Sequence, residues 1–247
     1  MIQNSIFNQL PPVTKNLIIV NVIVWAAMAI FPQEIGVMVN RFCGLHYFQA
    51  NDFLATQFVS YQFVHAGFTH LFFNMFSLLM FGTVIETVFG AKRFITYYLI
   101  CGIGAGIMQQ LAWYADIQMI LQENINRISS VTGESSGVIL TQLLQDSNYH
   151  YLINSLLTVG ASGAVYGILL AFGMFFPNRP IFIMFIPYPI KAKWLIIGYA
   201  ILELWLGLGN TSDGIAHFAH LGGMIFGFLL ILYWRKTGII RKNDSYF

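Results

Sequence analysis

Three short runs place residues able to do acyl-transfer chemistry inside otherwise apolar sequence. The first is Phe63-Val64-His65-Ala66-Gly67-Phe68-Thr69-His70-Leu71-Phe72-Phe73-Asn74-Met75. His70 and Asn74 are four apart, so on a helix they share one face. The second is Gly160-Ala161-Ser162-Gly163-Ala164-Val165-Tyr166-Gly167, a serine among small residues. The third is His217-Phe218-Ala219-His220-Leu221-Gly222-Gly223-Met224-Ile225-Phe226-Gly227. A serine paired with a histidine is a nucleophile and its base. Asn and His side chains, and backbone N–H groups beside the serine, can hydrogen-bond an oxyanion. Each run also has a plainer reading. His70 and Asn74 can bond nearby backbone, and Gly, Ala and Ser let membrane helices approach closely. Gly-x-Ser-Gly is not the Gly-x-Ser-x-Gly elbow of the α/β-hydrolases, since position 164 is Ala and no strand precedes it.

Composition says what must hold these residues. Of 247 residues, 57% are hydrophobic and 9% charged, against about 25% charged in an average soluble domain. Mean hydropathy is +0.68. A soluble fold of this length cannot hide so much apolar surface. A net charge of +2 is too small for a nucleic-acid binder. Cys43 and Cys101 make neither a disulfide framework nor a metal pair. The composition therefore describes a polytopic, all-α membrane protein.

A spanning helix needs about 20 mostly apolar residues. Six stretches qualify, at about 14–31, 70–89, 94–114, 153–176, 194–209 and 215–234, in one membrane domain over 1–247. Ile181–Ile190, broken by Pro187 and Pro189, reads as an interfacial piece. The first span reads as a retained helix rather than a signal peptide, because Phe31-Pro32-Gln33-Glu34 is no small-residue cleavage site. No transit peptide is expected before it. With both termini in the cytoplasm, the inside segments hold Lys15, Lys92, Arg93, Arg179, Lys191, Lys193, Arg235, Lys236, Arg241 and Lys242. The outside holds only Arg41 and Arg127, as the positive-inside rule requires. Residues from about 115 to 152, rich in Gln, Asn and Ser, read as a solvated acidic outer loop. Helices two, four and six then run from outside to inside. All three runs lie in their first turns, so Ser162, His220, His70 and Asn74 are expected at one shallow depth near the outer leaflet.

With these residues in place, the sequence resembles the rhomboid family of intramembrane serine proteases. The resemblance rests on His70-Leu71-Phe72-Phe73-Asn74, Gly160-Ala161-Ser162-Gly163 and Ala219-His220-Leu221-Gly222-Gly223, in order and on the second, fourth and sixth helices. It implies a six-helix rhomboid-like bundle and catalysis by a Ser162–His220 dyad. It further implies an oxyanion hole from His70, Asn74 and the Ser162 N–H, with Gly160, Gly163 and Tyr166 as site support. Tyr166 would stack on His220, and Glu86 would tie the second helix to nearby loops. Substrates would be transmembrane proteins cut in or near their spans, with small residues before the cut. No cofactor, metal or nucleic-acid partner is implied. One departure stands out: many members carry Trp-Arg where this chain has Thr56-Gln57. The compact form points to a bacterial plasma membrane.

Two other classes fit less well. A zinc site could draw on His65, His70, His217 and His220, but His-Glu-x-x-His is absent and no glutamate is expected to accompany the histidines. A transporter would show repeats and broken helices. The intramembrane acids are only Glu86 and Glu203, too few for an ion relay. A catalytically silent relative that binds or chaperones membrane proteins would keep the helices without the working geometry. His217 is read as a neighbour of the site and His65 as structural.

Overall fold

The computed structural model describes residues 10–182, 188–209 and 215–240. In chain order it contains α1 (Pro12–Ile30), α2 (Gln33–Cys43), β1 (Leu45–His46), α3 (Gln57–Ser60) and a 3-10 turn (Tyr61–Phe63). Next come α4 (Phe68–Ser77), a π turn (Leu78–Gly82) and α5 (Thr83–Phe89), which together form one apolar rod, Phe68–Phe89. α6 (Ala91–Thr132), α7 (Ser136–Gln145), α8 (Ser147–Ser155), β2 (Leu157–Thr158) and α9 (Ser162–Phe175) follow. The chain continues through β3 (Pro180–Ile181), β4 (Ile190–Lys191), α10 (Ala192–Leu208) and α11 (His217–Lys236).

Four described helices are long and apolar enough to cross a membrane: Pro12–Ile30, Phe68–Phe89, Ala91–Thr132 and His217–Lys236. Their outward faces keep large apolar side chains exposed, among them Ile23, Phe73, Phe76 and Leu229, as suits hydrocarbon surroundings. Ten of the twelve basic residues used to orient the chain lie among the described residues; Arg241 and Lys242 lie outside them, as does Pro187 of the expected interfacial piece.

Two expected boundaries are corrected. The third span does not end at 114: α6 runs on without a break for 42 residues, roughly 63 Å, about twice the hydrocarbon thickness. Residues 115–152 are therefore mostly helix rather than loop. Ile117, Leu121 and Ile125, each four apart, are buried on one face. Ile117 and Leu121 pack in a small cluster with Tyr47, Trp113 and Ile153. That i, i+4 pattern outweighs the polar residues between. The fourth span does not begin at 153. Ile153 ends up in α8, residues 156–161 lie outside any helix, and Leu157–Thr158 pair antiparallel with Leu45–His46. The helix proper starts at Ser162 and has 14 residues.

α9 is the buried centre of the bundle. It packs against α4, the π turn, α6, α10 and α11, and even its small residues are enclosed. Glycines make this approach possible. A Cβ on Gly223 would overlap the Gly163 carbonyl, and one on Gly167 would come 2.7 Å from Cys101 Cβ. Tyr97 Oη donates to the Gly167 carbonyl at 2.8 Å, satisfying a buried phenol across the interface.

Two polar devices fix the periphery. Glu86 accepts from the Val13 and Thr14 N–H groups at 2.9 and 2.6 Å. It thereby supplies acceptors for orphan donors at the start of α1, where negative charge also suits the helix dipole. Replacing Glu86 by Ala is expected to lower stability by about 2 kcal/mol, read as a fall in thermal midpoint of the detergent-solubilised protein. Gln57, at the departure from Trp-Arg, organises the outer segment. Its Oε1 accepts from His46 N and Leu54 N at 3.3 and 3.1 Å, and its Nε2 donates to the Arg41 and Asp52 carbonyls at 3.0 and 2.8 Å. Arg41 Nε also donates to Asp52 Oδ1 at 2.8 Å.

Candidate active site

The extended stretch before α9 sets the site. Gly160 has φ +128, a conformation side-chain-bearing residues rarely adopt. Its N–H donates to the Tyr61 carbonyl at 2.9 Å. The chain turns there and enters α9 with Ser162 as the first helical residue. Ser162 thus carries its hydroxyl where first-turn N–H groups lack intrahelical acceptors and the helix dipole is positive.

Ser162 Oγ lies 2.9 Å from His220 Nε2. The two residues come from α9 and α11, which the Gly163–Gly223 contact holds together one residue beyond the serine and one turn beyond His220. Tyr166, one turn after Ser162, stacks on the His220 ring with centroids 4.3 Å apart and planes 6° from parallel.

His70 and Asn74 sit on the adjacent face of α4. Asn74 is buried, and its Nδ2 donates to the His70 carbonyl at 2.9 Å. The His70 ring lies over Gly160: a Cβ added there would come 2.6 Å from His70 Nε2 and 3.8 Å from Ser162 Oγ. Gly160 is therefore the floor between His70 and the serine. Gly160→Ala is expected to lower kcat/KM about 100-fold, as for a misplaced reacting group, with a modest fall in thermal midpoint; steady-state cleavage and a melt measure both.

His65 is nearly fully buried, and its ring centroid lies 5.0 Å from that of His70. The Ala161 N–H points at its Nε2 at 3.5 Å, the long end of the range. Burial chiefly, then the neighbouring His70, pushes its pKa down to about 3, so it is neutral at physiological pH. It braces the segment leading to Ser162, as the structural reading expected. A cavity of about 320 Å³ opens beside it, lined by Trp25, Gln33, Asn40, His65 and Ala66 among others.

Sequence reasoning missed one residue of this site. Glu203 of α10 is buried and faces both histidines of α11. Its Oε2 is 2.6 Å from His217 Nδ1, and its Oε1 is 3.1 Å from His220 Nδ1 and accepts from Tyr166 Oη. The expectation that no glutamate accompanies the histidines is thus corrected. The available signal was an acid inside an apolar span. Nothing local ties position 203 to positions 217 and 220, and only the packing of α10 on α11 joins them.

These three side chains offer ligand atoms within 4.8 Å of one another. Their arrangement is that of hydrogen-bond partners. Two ligands of one tetrahedral zinc stand about 3.3 Å apart for bonds near 2.0 Å, whereas His217 Nδ1 and Glu203 Oε2 are 2.6 Å apart.

Residues 53–237, from α3 to the end of α11, match the family model described as the rhomboid domain. The chain is similar to RHOMBOID-like protein 4 of Arabidopsis thaliana, 32% identical over 157 residues, which is 64% of this chain and 28% of that protein. It is also similar to "Rhomboid protein 1, mitochondrial" of Saccharomyces cerevisiae, 24% identical over 164 residues, 66% of this chain and 37% of that protein. The chain thus matches 28% of the length of the first relative and 37% of the second. The domain match takes in all three motif runs and covers most of the sequence. This integral membrane protein belongs to the rhomboid family.

Proposed function

We propose that the chain is an intramembrane serine protease that hydrolyses peptide bonds in or near the transmembrane segments of other membrane proteins. The observation that carries the reading is the 2.9 Å approach of Ser162 Oγ to His220 Nε2. Ser162 Oγ attacks the scissile carbonyl carbon while its proton passes to His220 Nε2. The carbonyl oxygen, now negative, is held by the Ser162 N–H and by His70 and Asn74. Collapse breaks the C–N bond as His220 returns the proton to the leaving nitrogen. Water then repeats the sequence on the acyl-enzyme, giving a new carboxylate and free Ser162.

Gly160, Gly163 and Tyr166 support this site: Gly160 by leaving room beside the serine, Gly163 by admitting Ala105 of α6, Tyr166 by stacking on the imidazole. The shallow position of the polar cluster near the outer leaflet gives water its route to the serine. A helical substrate must unwind locally, because its carbonyls are otherwise bonded within the helix. The proposal includes six spans with both termini cytoplasmic and the site towards the outer leaflet. It also includes a bacterial plasma membrane, although both relatives named above are eukaryotic and one is named mitochondrial.

The test is cleavage of a panel of transmembrane substrates by the protein in liposomes, varying the residue before the scissile bond, with and without strong chelator. Faster cutting after small residues, unaffected by chelator, is the expected result. Equal cutting after bulky and small residues contradicts the proposed specificity, and loss of activity in chelator contradicts the serine mechanism.

A further inference from the structure

The site contains a buried acid that a Ser–His dyad does not require. A Ser162 hydroxyl that donates to His220 Nε2 needs a lone pair there, so the neutral imidazole carries its proton on Nδ1. That nitrogen is buried and makes no well-aligned hydrogen bond among the described residues. The nearest acceptor is Glu203 Oε1 at 3.1 Å, close enough to bond but off the line of the N–H. Resting catalytic hydrogen bonds are often misaligned and tighten as charge develops.

Glu203 is held from two sides. His217 Nδ1 fixes one carboxylate oxygen at 2.6 Å. Tyr166 Oη fixes the other, while the Tyr166 ring covers the face of His220. The charged and titratable groups around His220 are Tyr166 from α9, Glu203 from α10, His217 from α11 and His70 from α4. Glu203 is the acid among them. A buried carboxylate in an apolar helix is costly, and a well-packed apolar residue would often be at least as stable. Its hydrogen bonds go to His217 and Tyr166, whose rings both meet the ring of His220.

The geometry points to Glu203 as a positioning residue that extends the dyad to Ser162–His220–Glu203 and is itself aligned by His217 and Tyr166. This deepens the protease reading and rests on it. Glu203 fixes the Nδ1–H tautomer and faces the imidazolium formed when Oγ gives its proton to Nε2. It takes no proton: the Nε2 proton goes on to the leaving nitrogen, and Glu203 remains a carboxylate throughout.

The test compares the full chain with Glu203→Gln and Glu203→Asp in three readouts: kcat and KM on a transmembrane substrate, the rate at which a fluorophosphonate labels Ser162, and thermal midpoint. Glu203→Gln is expected to lower kcat and the labelling rate together by about 100-fold or more, with KM unchanged. Glu203→Asp, which keeps the charge, is expected to recover part of both. Turnover and labelling by Glu203→Gln at the parent rate, or a loss confined to KM, overturns the inference. Nitrogen-15 NMR of the parent provides a check independent of any variant's folding: a proton on His220 Nδ1 is expected, and one on Nε2 overturns the assignment. A folded parent that neither cleaves nor labels overturns the protease reading itself. A working parent beside an unaffected Glu203→Gln removes only Glu203.

Discussion

Ser162→Ala is expected to reduce cleavage of a transmembrane substrate by at least about 10⁴-fold, to the level of the uncatalysed background in practice. His220→Ala is expected to do the same, and the double variant to be no worse than either, because nucleophile and base act as one unit. The reason is the single 2.9 Å contact through which the serine loses its proton. Ser162→Ala is expected to melt close to the parent, and His220→Ala lower, because it opens a cavity beside Tyr166 and Glu203. His217→Ala provides the contrast. Its ring meets Glu203 rather than Ser162, so its loss is expected to be partial. An inactive His217→Ala beside an active His220→Ala would reverse the assignment of the base.

The second large effect is expected from a residue that touches no substrate. Gly223→Ala would put a Cβ on the Gly163 carbonyl, and neither neighbour is a flexible side chain able to move aside. The backbones of α9 and α11 must separate. Ser162 is adjacent to Gly163 and His220 lies one turn from Gly223, so separation lengthens the nucleophile–base contact directly. A displacement near 1 Å costs on the order of 100-fold in rate, and overpacking adds a loss of about 1–3 kcal/mol in stability. Cleavage and thermal midpoint should therefore fall together. Gly198→Ala is the control. A Cβ there meets nothing within 4 Å, and on the open face of α10 alanine should leave activity intact and stability equal or slightly higher. Equal behaviour of the two variants would show that the helix contact does not set the site.

What could be read from sequence was whatever depends on local spacing. His70 and Asn74 are one turn apart on a helix, as are Ser162 and Tyr166, and the expected membrane direction puts the three runs at one depth. The stacking of Tyr166 on His220 follows the family resemblance and recurs in the structure. Glu86 was expected to tie the second helix to nearby loops; it accepts instead from the first N–H groups of α1. Less was legible where hydropathy averages over mixed surroundings. The continuation of α6 past 114 hides behind polar residues, although Ile117, Leu121 and Ile125 mark one buried face. The late start of α9 was hidden because Leu156, Leu157 and Val159 are as apolar as helix, yet pair and extend instead. Gln57 was visible as a departure, but its four bonds to the outer segment depend on a fold that sequence spacing does not describe. Glu203 was visible as an intramembrane acid, and its partners lie across a helix interface.

Covalent capture of Ser162 distinguishes a serine activated by His220 from an inert one. The purified protein, solubilised in detergent, is treated with a fluorophosphonate, digested and mapped by mass spectrometry, beside His220→Ala at equal folded concentration. Modification at Ser162 is expected in the parent, with a labelling rate lower by orders of magnitude in His220→Ala. A folded parent that resists the reagent, or one labelled equally well without His220, would contradict the Ser162–His220 dyad.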